Sequence, residues 1–261
     1  MTYLAFHFVF IVPVLLALIF LRRMEPRVEL PFPAAAIASL AAIALVYTTP
    51  WDNYLVATGV WTYGPERVIE PLVIGYVPIE EYLFFILQPI MTGLFLLFFA
   101  GRLGITTEDF QPPLQRGRPA VIGCGFWLAV TALAAWMLFS LSEHFTYLGL
   151  ILVWAGPVLA FQWGFGGGTL WKFRRLVELT VRWPTLYLWL VDLIAIYWNI
   201  WYIEPATSTG WKLLGLPVEE AIFFAVTNLM VVQGVVLFFQ VFGRRRLAQL
   251  RREAPHERMV G

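Results

Sequence analysis

Seven apolar stretches, each long enough to cross a lipid bilayer, constrain this 261-residue chain more than any other feature. A bilayer core of about 30 Å takes about 20 apolar residues wound as a helix. The stretches fall at about 3–21, 33–58, 78–100, 119–140, 145–163, 184–203 and 217–242. In lipid every backbone N–H and C=O must be satisfied within the protein, and a helix does this within a single segment. The expected fold is therefore all-α: a polytopic membrane protein of seven transmembrane helices. The second stretch is long, which predicts a tilt or a break near Pro50. The first does not read as a signal peptide, because Arg22 and Arg23 follow it and no basic residue precedes it.

Composition agrees and excludes several classes. The chain is 60% hydrophobic and 13% charged, against about 45–50% and 25% in soluble domains. A net charge of +1 leaves no broad basic face for nucleic acid. Cys124 is the single cysteine, and His7, His144 and His256 are scattered, so neither a disulfide framework nor a Cys- or His-rich metal centre is expected. Twelve Trp, ten Tyr and 22 Phe suit a large, flat, apolar ligand, although aromatic belts at the membrane surface use the same residues.

Charge sets an expected orientation. All of the 18 Lys and Arg except Arg67 and Lys212 lie in alternate connections or in the C-terminal tail. Arg22, Arg23 and Arg27 follow the first span, and Arg102, Arg116 and Arg118 the third. Lys172, Arg174, Arg175 and Arg182 follow the fifth; Arg244, Arg245, Arg246, Arg251, Arg252 and Arg258 follow the seventh. The positive-inside rule then puts the N-terminus outside and the C-terminus in the cytoplasm, in a cell's inner membrane.

The chain also repeats itself. Thr2-Tyr3-Leu4 recurs as Thr146-Tyr147-Leu148, and Pro13-Val14-Leu15 as Pro157-Val158-Leu159. Asp52, Trp61 and Pro65 match Asp192, Trp201 and Pro205. Pro78-Ile79-Glu80-Glu81 matches Pro217-Val218-Glu219-Glu220, and Phe84-Phe85 matches Phe223-Phe224. This divides the chain into a first three-span repeat (1–101), a linker with the fourth span (102–144), a second three-span repeat (145–242) and a basic tail (243–261). The two repeats would share one orientation, related by a pseudo-twofold along the membrane normal, as in parallel-repeat transporters. Such a pair offers either two equivalent half-sites or one site between them.

Candidate chemistry lies in the repeated acids. Glu80, Glu81, Glu219 and Glu220 follow a proline at the start of a span, where ordinary helix-start chemistry would also place acids. Ionisable groups within spans are costly, however, and are functional candidates by default. At 100° per residue Glu81 shares a face with Gln88 and Thr92, and Glu220 with Thr227, beside Asn228. The alternative role for that stripe is interhelical hydrogen bonding. Asp52 and Asp192 recur among Trp51, Tyr54, Trp61, Trp198, Asn199 and Trp201. They are either acid/base groups or buried anchors, to Asn53 or Asn199. Desolvation favours the neutral acid, so one carboxyl can donate a proton while a better hydrogen-bonded one takes it back. Aromatic faces stabilise a cation where water is absent. Acid, base, aromatic cage and apolar space together suit proton-initiated cyclisation of an alkene.

The strings Pro50-Trp51-Asp52-Asn53-Tyr54, Gly75-Tyr76-Val77-Pro78-Ile79-Glu80-Glu81 and Phe84-Phe85-Ile86-Leu87-Gln88 resemble the membrane-integral, flavin-independent lycopene cyclases, whose mark is Pro-x-Glu(-Glu) in each of two homologous units. The chain is similar to their fused form over nearly its whole length; 261 residues leave no room for the phytoene synthase domain of fungal relatives. The resemblance implies lycopene β-cyclisation to β-carotene through γ-carotene, with Glu80, Glu81, Glu219, Glu220, Asp52 and Asp192 as the candidate catalysts. It implies no redox cofactor and no metal, and membrane lipid and other carotenoid enzymes as surroundings. Trp51, Tyr54, Trp61, Phe84, Phe85, Gln88, Trp198, Trp201, Phe223 and Phe224 are the candidate substrate contacts. The family motif stresses Glu80 and Glu219, whereas the helical wheel favours Glu81 and Glu220; the sequence leaves that choice open. The second unit has Thr227-Asn228 in place of Gln88-Pro89 and lacks the Trp before its Asp, so the halves need not be equal. A C50 or ε-ring carotenoid cyclase and a parallel-repeat transporter are the alternatives. A retinal protein would need a lysine in the last span, which has none, and a polyprenyl transferase would need Asp-rich motifs. Gly164-Phe165-Gly166-Gly167-Gly168 lacks dinucleotide-binding spacing and reads as a flexible loop.

Overall fold

The computed structural model describes residues 1–24, 29–69, 72–110 and 114–257, with side chains as far as residue 243. Arg27, Arg258 and the side chains of the tail arginines, all used in the charge count, lie outside what is described. Among the described residues seven helices are long and apolar enough to cross a membrane. They are α1 (Tyr3–Met24), α2 (Pro33–Ala57), α3 (Ile79–Arg102), α4 (Gly117–Ser140), α5 (Thr146–Lys172), α6 (Arg174–Tyr197) and α7 (Val218–Glu257). A π-helical segment, His7–Ile11, lies within α1. The expected all-α membrane architecture is what the chain adopts.

Several boundaries differ from expectation. Helix α2 runs unbroken through Pro50. Pro50 lacks the N–H that would bond Val46 O; membrane helices tolerate such a loss through local adjustment of their surroundings, and on either side of that carbonyl Thr49 Oγ1 donates to Leu45 O at 2.6 Å and Asn53 Nδ2 to Thr49 O at 2.9 Å. The glycine run is not a loop. It lies inside α5, kinked at Gly166 (φ −146°, ψ 34°). A Cβ on Gly167 would collide with the backbone of Ala120, so the missing side chains are what let α4 and α5 touch. The fifth connection is correspondingly short: Phe173 alone separates α5 from α6, and Arg182, expected in a loop, sits in α6 paired with Glu178. The sixth span ends at Tyr197 rather than near 203, and α7 continues past 242 through the basic segment.

Helices α2 and α6 stop for the same reason. Gly59 (φ 70°) and Asn199 (φ 51°) adopt the left-handed conformation just past each helix. The following N–H groups then reach back, Val60 N to Leu55 O at 2.9 Å and Ile200 N to Ala195 O at 3.0 Å, closing the helix ends. Each chain segment next forms a strand, β1 (Trp61–Tyr63) or β4 (Trp201–Ile203). These strands pair antiparallel with Tyr63 opposite Trp201, joining the two halves of the chain. Two hairpins, β2 (Val73–Ile74) with β3 (Val77–Pro78) and β5 (Lys212–Leu213) with β6 (Leu216–Pro217), lead into α3 and α7. Their turns carry Gly75 and Leu214-Gly215 at positive φ, as two-residue hairpins require.

Helices α3 and α7 are the axis of the bundle, each with 56% of its apolar window buried, while α4 buries 11% and leans on α5. Lipid is as apolar as leucine, so helix contacts in a membrane need small residues and polar bonds rather than a hydrophobic drive. The centre supplies them: Asn228 Oδ1 accepts from Gln88 Nε2 and Thr92 Oγ1, both at 2.6 Å, and Asn228 Nδ2 donates to Thr185 Oγ1 at 3.0 Å. The polar stripe on α3 thus serves as interhelical glue in its lower part.

Candidate active site

The doubled carboxylates point two ways, because adjacent helical residues differ by 100°. Glu80 accepts the backbone N–H of Ile69 at 2.9 Å, and Glu219 accepts both the N–H and the hydroxyl of Thr209 at 2.7 Å. The first Glu of each pair therefore fastens the segment that precedes its helix, keeping its second oxygen buried and unpartnered. The second Glu of each pair turns inward. Tyr3 donates its hydroxyl to Glu81 Oε2 at 2.6 Å, and Tyr147 donates to Glu220 Oε1 at 2.6 Å. All four carboxylates are at most 3% exposed.

Glu81 and Glu220 share one small cavity, whose wall also includes Asp192, Tyr3, Trp61 and Trp201. Phe6, Phe84, Phe223 and Phe224 complete its aromatic lining, and among the described residues no Lys or Arg borders it. Asp192 Oδ1 accepts from Trp201 Nε1 at 2.9 Å, while its Oδ2 is buried without a partner. In the other half Asp52 Oδ2 and Trp61 Nε1 are both buried and unpartnered. The expected amide anchors are not used. Asn53 bonds Tyr82, Thr49 and Tyr76, and Asn199 ends α6. Tyr63, in β1 outside the spans, lies 6.2 Å from the Tyr3 ring. Burial, then the nearby Asp52 and Glu81, push its phenol pKa well above the usual value, and its hydroxyl is buried without a partner.

The candidate substrate contacts separate into groups. Trp61, Trp201, Phe84, Phe223 and Phe224 border the carboxyl cavity. Phe85 and Gln88 border an adjoining groove, which also meets Phe84 and Phe223. Trp51 stacks on Trp154 (centroids 4.6 Å, 19°) and on Phe223 (5.7 Å, 9°). Tyr54 and Trp198 join neither space and are 54% and 37% exposed. Tyr54 is two residues from Asp52, about 200° around α2, and Trp198 lies past the end of α6 facing Phe10.

Sequence reasoning gave no chemical role to Tyr3, Tyr147 or Trp154. The signal for the tyrosines was present, since Thr-Tyr-Leu is itself repeated. Their contacts are repeated too: Tyr3 N donates to Arg67 O at 2.7 Å and Tyr147 N to Thr207 O at 3.0 Å. Trp154 has no Trp counterpart in the first half, so the repeat did not mark it. His7 is a further neighbour, its ring 4.7 Å from that of Tyr3 and its Nδ1 2.9 Å from Tyr3 O. The arrangement can hold a proton on one carboxyl and receive one on another, inside an aromatic, water-poor space.

Comparison with known proteins gives a consistent set of relatives. The chain is 42% identical over 218 residues to a lycopene beta-cyclase of Halobacterium salinarum, covering 82% of this chain and 86% of that one. It is 38% identical over 212 residues to a bifunctional lycopene cyclase/phytoene synthase of Podospora anserina, covering 78% of this chain and 35% of that protein. The figures for the protein of the same name from Aspergillus oryzae are 38%, 77% and 34%. The chain thus spans about a third of the length of these fungal relatives. No family model matches it, and no solved structure does so significantly.

Proposed function

The chain belongs to the membrane lycopene cyclase family, and from that premise we propose that it converts linear lycopene to β-carotene by proton-initiated ring closure within the membrane. The observation that carries this reading is the pair of Tyr–Glu hydrogen bonds facing one aromatic cavity. One of Glu81 and Glu220 protonates C2 of an acyclic end group. The C1 cation is attacked by the C5–C6 double bond, forming the C1–C6 bond and moving the charge to C5. The other carboxylate then removes the C6 proton, giving a β-ring; loss from C4 would give an ε-ring. The aromatic faces of Trp61, Trp201, Phe84 and Phe224 hold the transient cation without offering it a nucleophile. Asp192, fixed by the Trp201 indole, supplies a further acidic group to the wall. After one closure the acid and the base have exchanged protonation states. The second end, that of γ-carotene, can then react with roles reversed and no proton fetched from solvent. The reaction is an isomerisation, so it demands neither flavin nor metal.

The same reading includes two parallel three-helix repeats, 1–101 and 145–242, joined by 102–144, with 243–261 as a basic tail. Contacts made twice, at Tyr3–Glu81 and Tyr147–Glu220 and again at Glu80–Ile69 and Glu219–Thr209, support it. The end with the strands would face outward and the basic end the cytoplasm of the inner membrane, near other carotenoid enzymes. The deciding experiment supplies lycopene to the purified protein in lipid, without flavin or added metal, and identifies the pigment. β-Carotene is expected; unchanged lycopene with folded protein would end the reading.

A further inference from the structure

We propose that the groove between α2 and α5 is the seat and lateral entrance of the polyene chain, with Phe84 and Phe223 as the collar through which one end group enters the carboxyl cavity. This rests on the cyclase reading and adds to it where the unreacted part of the substrate lies.

The groove and the carboxyl cavity share Phe84 and Phe223 in their walls. Away from the cavity, the groove shares Leu40, Ile43, Val158 and Gln162 with a second stretch that ends at Val241 and Phe242. Measured along α7 from Phe223 to Phe242, the path is about 28 Å at 1.5 Å per residue. That is close to the whole bilayer core of about 30 Å. A space so long and narrow suits an extended rod, not the compact end group that the cavity takes.

Chemistry and access point the same way. The groove wall is chiefly hydrocarbon and aromatic, with Thr48, Gln88, Gln162 and Thr227 as its polar members. Tyr47, Trp154 and Phe223 in that wall belong to one stack with Trp51, so its shape is set before a ligand arrives. Tyr47 donates to Trp154 O at 2.8 Å and Trp51 to Leu150 O at 3.3 Å, bridging α2 and α5 beside the cavity. Further along, Ile43 and Phe161 at the mouth are 59% and 69% exposed, on helices that face lipid. A linear polyene is dissolved in the bilayer, so an opening toward lipid meets it without passing through water. A lipid acyl chain is the competing occupant. It would use the same hydrocarbon wall but would gain nothing from reaching the carboxyls.

The experiment reads binding apart from turnover. Glu81→Gln protein in lipid is loaded with lycopene, freed of unbound pigment, and the retained pigment is measured by visible absorption. Val158→Trp and Ile43→Trp are then added separately. Ile43 is at the open mouth, where a larger side chain leaves the core alone, so it guards against misfolding of the Val158 variant. Val121→Trp, on the exposed face of α4, is the control. Retention is expected to fall about 10-fold or more in both groove variants, as when a shaped apolar pocket rejects an added group, and to stay unchanged in the control. Equal retention in all proteins, an equal loss in the control, or no retained pigment while wild type still makes β-carotene would each overturn the groove alone. Failure of wild type to convert lycopene would overturn the cyclase reading and the groove with it.

Discussion

At the scale of single residues, the two glutamates of each pair have different neighbours, and that difference makes separate expectations. Glu81 and Glu220 face the cavity, each holding a tyrosine hydroxyl at 2.6 Å. Glu81→Gln or Glu220→Gln keeps the shape and removes the transferable proton, so turnover per folded molecule should fall about 100-fold, the usual scale of general acid–base catalysis. Because both acids line one cavity, each variant should accumulate lycopene with no γ-carotene; a one-ringed product from either would mean two independent sites. Glu80→Gln and Glu219→Gln should stay within about threefold of wild type in turnover, because the amide oxygen can still accept the N–H of Ile69 or Thr209, while stability falls by up to about 2 kcal/mol, the upper range for replacing an acid at a partly buried helix start. A 100-fold loss in those two would hand the chemistry to the first Glu of each pair. Tyr3→Phe and Tyr147→Phe remove a bond to an acid worth about 1.5–3 kcal/mol when that acid is ionised, so a drop of about 10-fold or more in kcat is expected from pigment chromatography. In the sequence the helical wheel and the family motif singled out different members of each pair; the segments folded over Glu80 and Glu219, and the tyrosines on Glu81 and Glu220, are what the sequence lacked to choose between them.

At the scale of elements, the packing of α4 against α5 depends on atoms that are absent. Gly123 and Gly156 admit the Trp163 ring and the Thr131 side chain, and Gly167 admits the backbone of Ala120. Gly167→Val should overpack this contact, with a cost of about 1–3 kcal/mol, visible as a lower melting temperature in detergent with the catalytic rate of the surviving protein little changed. An unaffected melting temperature would mean that α4 does not rest on α5 in the membrane. The glycine run was read as a loop because composition alone cannot separate a flexible glycine from one pressed against a neighbouring backbone. Of the tilt or break expected near Pro50, the break does not occur: α2 continues through it, with side chains bonded to the flanking carbonyls of Leu45 and Thr49.

At the scale of the whole molecule, the strand-bearing end gathers the starts of α1, α3, α5 and α7, tied by the β1–β4 pairing of the two halves. Arg67 and Lys212 belong to that end, while Lys172 closes the other. Single cysteines in a Cys124→Ala background should label from outside intact cells at 67 and 212 but not at 172. External labelling at 172 would reverse the orientation.

Length, apolar periodicity and the duplicated motifs determined by themselves that seven helices form, roughly where each lies, and that Glu80, Glu81, Glu219, Glu220, Asp52 and Asp192 are the acids to watch. Those properties are local, since a bilayer forces each span to satisfy its own backbone whatever its neighbours do. Tertiary structure alone decided that Glu81 and Glu220, 139 positions apart in the numbering, meet in one cavity. It also decided that Tyr3 and Tyr147 are their partners, and that Tyr54 faces away. Which side chains converge depends on helix rotation, tilt and close approach, and these are set by contacts between helices far apart in the chain: the Asn228 network, the glycine faces and the β1–β4 ribbon.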